Sequence, residues 1–378
     1  MKTGFNLTKA RDLIKKTEMD CIIATSQENF YYCSGAPIQT IGRLRRLAAA
    51  VIPLDDEPVI ISHINEEATA RKHSWIKDIR TYEAGEWEPL KSVRFVANVL
   101  EEKGLDDKKI GISSFDMSGL RFNYLREQLP SAKIVDAKPI FDKLRSVKST
   151  EEVKILSEAN MSTAKAITAA FESARPEDTE KEIALNMISL CLKYGADTVA
   201  LLTLAAGENL FENHHLPTDY RIKKGDMVHV DFGCFFKGGY ISDIARTFVV
   251  GEPNKKQLKV YDIAVRAEKV AAEAMVAGTK VIDVHNAVKK FYESEVKGYN
   301  YTRAFIGHSV GLNIHESPFI GPSDGDWVLE PGNFIQIEPG MSIENARAHI
   351  EDSHVVQTRG PAKNVSLYND TTELMIIK

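Results

Sequence analysis

Residues 1–146 alternate short apolar runs with amphipathic stretches. Cys21–Ala24, Leu47–Pro53, Val59–Ser62 and Lys109–Ser113 are brief, apolar and bounded by turn residues, which predicts strands. Leu90–Lys103 and Leu120–Gln128 carry helical spacing between them. Strand–helix alternation of this kind predicts an α/β domain.

The pattern changes near Arg145-Ser146-Val147-Lys148, so the expected domains are residues 1–146 and 147–378. Ser149-x-x-Glu152 and Thr179-x-x-Glu182 each read as a capping box, in which the hydroxyl and the carboxylate satisfy two otherwise unpaired amides. The first opens a helix expected to run to about Ser173, and the second opens another. After Lys223-Lys224-Gly225-Asp226 the spacing turns to strands at Met227–Phe236, Arg246–Val250, Asn333–Glu338, His349–Gln357 and Leu374–Ile377. Helices are expected at Lys255–Val276 and Ile282–Val296. The second domain is therefore expected to be α+β, with helices on a mainly antiparallel sheet.

A length of 378 residues suits two domains, each large enough for its own core. The net charge of −5 argues against a general nucleic-acid binder. No apolar run approaches the ~20 residues of a membrane span, and Met1-Lys2-Thr3-Gly4-Phe5 lacks the apolar core of a signal peptide. Cys21, Cys33, Cys191 and Cys234 show no metal or redox spacing and are expected to be buried thiols in a reduced compartment. The expectation is a cytoplasmic protein.

Carboxylates inside apolar runs change the picture. In Val228-His229-Val230-Asp231-Phe232-Gly233 an acid sits within a strand pattern, and Ser242-Asp243-Ile244 repeats this at the next strand. A hairpin through Lys237-Gly238-Gly239 would bring Asp231 and Asp243 face to face. Gly307-His308-Ser309, Ile337-Glu338-Pro339 and Ile350-Glu351-Asp352 follow. Buried acids are costly unless protonated, paired or bound to metal. Four carboxylates and one imidazole around two divalent ions are close to neutral, and such an oxygen-rich set suits Mn²⁺, Co²⁺ or Fe²⁺ as well as Zn²⁺.

In this order the motifs resemble the pita-bread metallopeptidases: prolidase, aminopeptidase P and creatinase. Gln27-Glu28-Asn29-Phe30-Tyr31-Tyr32-Cys33-Ser34-Gly35 is similar to their first domain. The resemblance implies a creatinase-like α/β domain followed by an α+β pita-bread catalytic domain, closest to an Xaa-Pro dipeptidase. It implies two divalent ions per subunit, manganese or cobalt first, then iron or zinc. Asp231 would chelate one ion, Asp243 and Glu351 would bridge both, and His308 with Glu338 would complete the second. A metal-bridging hydroxide would attack the Xaa-Pro amide, with Glu338 moving the proton. His214 in Asn213-His214-His215-Leu216-Pro217, and His315 in Asn313-Ile314-His315-Glu316, match the catalytic histidines that face the substrate. A homodimer acting on small peptides, with no nucleic-acid or membrane partner, is also implied.

Alternatives stay open at several positions. His215 competes with His214. His229 shares a strand face with Asp231 and is either a group orienting a ligand or a satisfied core histidine. The Arg43-x-Arg45-Arg46 cluster reads first as a solvated face, second as a substrate contact in a dimer. Three departures from the family pattern stand out: the Asp231–Asp243 interval is one residue longer, Gln336 replaces a threonine, and His349 stands where an arginine is usual. Neighbouring Arg347 shares the strand face of His349, and both are candidate substrate contacts. The His349 departure keeps a second function open, hydrolysis of a non-peptide amide, beside a third, a non-catalytic binding protein.

Overall fold

The structure, a computed structural model, describes residues 3–85, 87–113, 117–299, 301–368 and 371–378. Two compact units divide the chain, Met1–Arg145 and Ser146–Lys378.

The first unit holds strands β1 (Cys21–Ala24), β2 (Ala49–Pro53), β3 (Val59–His63), β4 (Asp78–Tyr82), β5 (Lys109–Ile112) and β6 (Lys133–Asp136). They form one sheet in the order β4-β3-β2-β1-β5-β6. The pairings of β1 with β2 and of β2 with β3 are antiparallel, and the rest are parallel. The central strands β1 and β2 are buried at every residue, which is why they read as unbroken apolar runs. The edge strands β4 and β6 are polar and half-exposed, and periodicity did not predict them. The helices are α1 (Leu7–Lys16), α2 (Gln27–Ser34), α3 (Thr40–Leu44), α4 (Glu67–His73), α5 (Pro89–Glu102), α6 (Gly119–Gln128) and α7 (Lys138–Ser146).

In the second unit both capping boxes are formed, opening α8 (Thr150–Ser173) and α9 (Glu180–Lys193). These helices cover a sheet of β7 (Thr198–Ala206), β8 (Met227–Phe236), β9 (Tyr240–Ile241), β10 (Ile244–Val250) and a late strand at Met375–Ile377. Phe171 of α8 stacks on Phe248 of β10, ring centroids 3.7 Å apart. The helices α10 (Lys255–Ala274) and α11 (Val281–Glu295) share a second core with the remaining sheets. One runs β12 (Glu316–Phe319), β11 (Gly307–Ser309), β13 (Phe334–Ile337), β16 (Asp352–Val355) and β17 (Lys363–Asn364) in spatial order. The other pairs β14 (Gly340–Ile343) with β15 (Ala346–His349). All pairings among these strands are antiparallel except that of the late strand with β10.

One expectation is overturned. His349–Gln357 is not a single strand, because the chain leaves β15, crosses at Ile350-Glu351 and enters β16 in another sheet. The crossing is fixed by the Glu351 amide, which donates to the Ala245 carbonyl of β10 at 3.0 Å. β7 was also not anticipated: Thr198–Ala206 is a smooth Ala/Leu run whose spacing does not separate strand from helix. All four cysteines are buried free thiols. No described helix is long and apolar enough to cross a membrane.

Candidate metal centre

Asp231 lies on β8 opposite Thr203 of β7 and Ala245 of β10. Asp243 occupies the short gap between β9 and β10, a step from that position. Gly233 permits the approach, since a Cβ there would stand 2.4 Å from the Ser242 carbonyl oxygen. Between the two acids the chain makes a tight turn at Lys237–Gly239, where Gly238 and Gly239 both have φ 77°. His308 sits on β11, Glu338 follows β13, and Glu351 occupies the sheet crossing.

These elements bring the acids together. One ligand atom from each of Asp231, Asp243 and Glu351 falls within a 4.8 Å group, and a second such group joins Asp243, His308 and His315. His308 Nε2 lies 3.5 Å from Glu338 Oε1, 3.7 Å from Glu351 and 3.8 Å from Asp243. They face a cleft of about 470 Å³ that His214 and His315 also line. Of the adjacent histidines, His214 is exposed to the cleft with φ 55°. His215 is buried, its ring nitrogens 2.8 Å from Glu212 and 3.0 Å from Glu180. Glu180 also accepts from the Ala206 and Thr218 amides, so His215 anchors the loop that presents His214.

The donor set fits divalent cations. Asp231 Oδ1, Asp243 Oδ1 and Glu351 Oε1 are buried with no hydrogen-bond partner, a state that buried polar atoms rarely tolerate. Without a cation, burial pushes the Asp231 carboxyl up to about 7, and the Glu338 charge adds to it. Burial and neighbouring carboxylates likewise hold Asp243 and Glu351 well above the usual range. Glu338 goes the other way. Burial pushes it up, but His349, His308 and Arg303 outweigh that and hold it at about 2. Burial lowers His308 to about 4, so its imidazole is neutral, as a metal ligand must be.

Several supporting residues escaped the sequence. The Asp243 amide donates to Asn160 Oδ1 of α8 at 2.8 Å, and Gln336 donates to Asn160 Oδ1 and to the Asp243 carbonyl. Arg246 donates to the carbonyls of Glu351 at 2.7 Å and Ala245 at 2.9 Å, and pairs with Asp352 at 2.7 Å. Arg303 donates to the Glu338 carbonyl. Gln336 stood out in the sequence only as a departure from the family pattern, and Arg246 left a trace as a charge inside an otherwise apolar strand. His349 and Arg347, candidate substrate contacts, are not among the residues lining the cleft. His349 is buried behind Glu338, with Nε2 3.3 Å from Oε2. Its Nδ1 is 2.9 Å from His229 Nε2, so the two open readings of His229 converge on a buried His–His–Glu row. Arg347 is spent on the Leu210 carbonyl at 3.2 Å and on Asn213 at 3.4 Å.

Residues 154–358 match metallopeptidase family M24, and residues 6–147 match the creatinase/prolidase N-terminal domain. The chain belongs to metallopeptidase family M24. It is 29% identical over 361 residues to an Xaa-Pro dipeptidase of Pyrococcus horikoshii, covering 93% of this chain and 94% of that protein. The solved structure of a dipeptidase from the same organism superposes with TM-score 0.86 at 26% identity, covering 98% and 99% of the two chains. Dipeptidase PepE of Mycobacterium ulcerans does so with TM-score 0.85 at 25% identity, covering 98% and 96%. The creatinase-like and pita-bread domains expected from the motifs are therefore those of the fold, and the chain is a metallopeptidase.

Proposed function

We propose that this chain is a two-metal Xaa-Pro dipeptidase, with Asp231, Asp243, His308, Glu338 and Glu351 as ligands and Asp243 and Glu351 shared between the ions. The observation that carries the reading is the group of buried carboxylates with unpartnered oxygens, open to a cleft with two histidines. The Xaa-Pro dipeptidase of Pyrococcus horikoshii supports the substrate class. Manganese or cobalt suit the oxygen-rich donors. Bound there, the ions supply a Lewis acid and a water acidified towards neutral pH.

The chain's own groups do the rest. His214 and His315 donate to the scissile amide oxygen as it gains charge, an oxyanion role. Glu338, ionised because its neighbours favour the anion, takes the proton of the attacking water and passes it to the leaving nitrogen. His349 backs Glu338, and His229 fixes the His349 ring.

A second reading concerns the far end of the substrate. Among the described residues no Lys or Arg lines the cleft, so nothing in this chain's lining grips a free C-terminal carboxylate. Dipeptides should then lose their advantage over longer or neutral amides. The test is hydrolysis of Xaa-Pro dipeptides, their C-terminal amides, longer Xaa-Pro peptides and matched Xaa-Ala peptides, with and without Mn²⁺ or Co²⁺. Failure on every Xaa-Pro substrate in every metal condition sinks the proposal.

A further inference from the structure

A second cleft, of about 240 Å³, lies wholly within the first unit and is lined by Thr25, Arg45, Arg46, Ser118 and Arg121 with three apolar side chains. From its composition and backbone we infer an oxyanion site that takes the phosphate or carboxylate group of a small molecule.

Three independent features converge on negative charge. The first is the start of α6, where Ser118 is the N-cap but its side chain makes no capping hydrogen bond. Among the described residues no side chain caps the leading amides of that ten-residue helix, and they carry the positive end of the helix dipole. Acids normally occupy such a first turn; here there are none, and Arg121 stands in it instead. An arginine at a helix N-terminus is repelled by the dipole unless an anion joins it.

The second feature is that two guanidinium-bearing residues, Arg45 and Arg121, line the same small cleft. Arg121 is half-buried, on the same cleft as Arg45. Its Nη2 donates to the Arg45 carbonyl at 2.6 Å. Arg45 is the left-handed C-cap of α3, at φ 53°, so the contact ties the end of α3 to the first turn of α6. The third feature is Thr25, just beyond β1. It is 3% exposed and lines the cleft, and its hydroxyl has no hydrogen-bond partner. An oxyanion would receive the helix amides, the planar guanidinium donors and this hydroxyl together.

The test is calorimetric titration of the full chain, freed of metal by dialysis so that the acidic centre takes no anion, with inorganic phosphate and separately with acetate. One saturable site per chain is expected, weakening as salt rises. Arg121→Gln should weaken it about tenfold or more, as loss of a charge-assisted contact does. Thr25→Val should weaken it about threefold to tenfold, and Asp243→Ala should leave it intact. If Arg121→Gln does not fold, Thr25→Val decides. A phosphate preference of about tenfold or more identifies a phosphorylated ligand, and near-equal binding identifies a terminal carboxylate; either supports the site. No saturable binding of either anion at millimolar concentration overturns it, and so does affinity unchanged in both Arg121→Gln and Thr25→Val.

Discussion

The chain carries two clusters of like charge and handles them in opposite ways. In the catalytic unit, acids stand on or beside strands and line a cleft, with buried oxygens that meet no donor. In the first unit, arginines gather at the end of α3 and the start of α6, where Arg45 is exposed and Arg121 half-buried. Water can screen the second cluster but not the first. Burial thus decides how strictly a counter-ion is needed: the acids need one to keep their charge, while the arginines gain from one.

The contrast breaks most decisively at the shared ligands. Asp243→Ala or Glu351→Ala should remove both ions and lower kcat/KM by about 10³-fold or more, as loss of the activated water does. Elemental analysis that finds nearly full metal content in either variant would refute the shared-ligand assignment.

A smaller effect is expected behind Glu338. His229→Ala frees the His349 ring, which should weaken metal binding and lower kcat by about 10- to 100-fold. His229→Gln, which keeps a polar group at that end, should recover part of the loss. Equal defects in both variants, matched by equal losses of Tm, would reduce His229 to a packing role.

Stability against pH sharpens the contrast further. Without metal, Asp231, Asp243 and Glu351 keep their protons to higher pH when folded than when unfolded, Asp231 up to about 7. Between pH ~4 and ~7 the folded chain then binds more protons than the unfolded one, so the cluster's contribution falls as pH rises. The Tm of metal-free wild type, relative to Asp231→Asn, should drop by about 5 °C from pH 5 to pH 8. Added Mn²⁺ should remove the drop. A flat difference across that range would mean the acids are ionised without a cation.

The smallest effect concerns selectivity. With no cation lining the cleft, dipeptides and their C-terminal amides should differ by less than about tenfold in kcat/KM, under 1.4 kcal/mol. A larger preference for the free carboxylate would locate a cation outside the described lining.

Much of this was legible in the chain. Strands β1, β2, β3, β5, β8, β10 and β13 announced themselves because both faces are buried, and the capping boxes marked two helix starts to the residue. The acids stood out because an apolar strand has no ordinary use for one. What stayed hidden was pairing at a distance: nothing near Asn160 announces Asp243, and nothing near Arg303 announces the Glu338 carbonyl. The break at Ile350-Glu351 was invisible because a strand that changes sheets keeps the same apolar spacing on both sides.

The turn at Lys237–Gly239 bears on how such a chain tolerates changes in length. One residue more or fewer there alters only a solvent-facing loop, since β8 and β10 remain paired from Asp231 and Ala245 onward. The same insertion within β15 or at the Ile350-Glu351 crossing would slip β15 against β14 or β16 against β13 by one place, turning the side chains beyond it to the opposite face. Insertions and deletions should therefore accumulate at the first site and be purged at the second, even though both lie between ligands of the same centre.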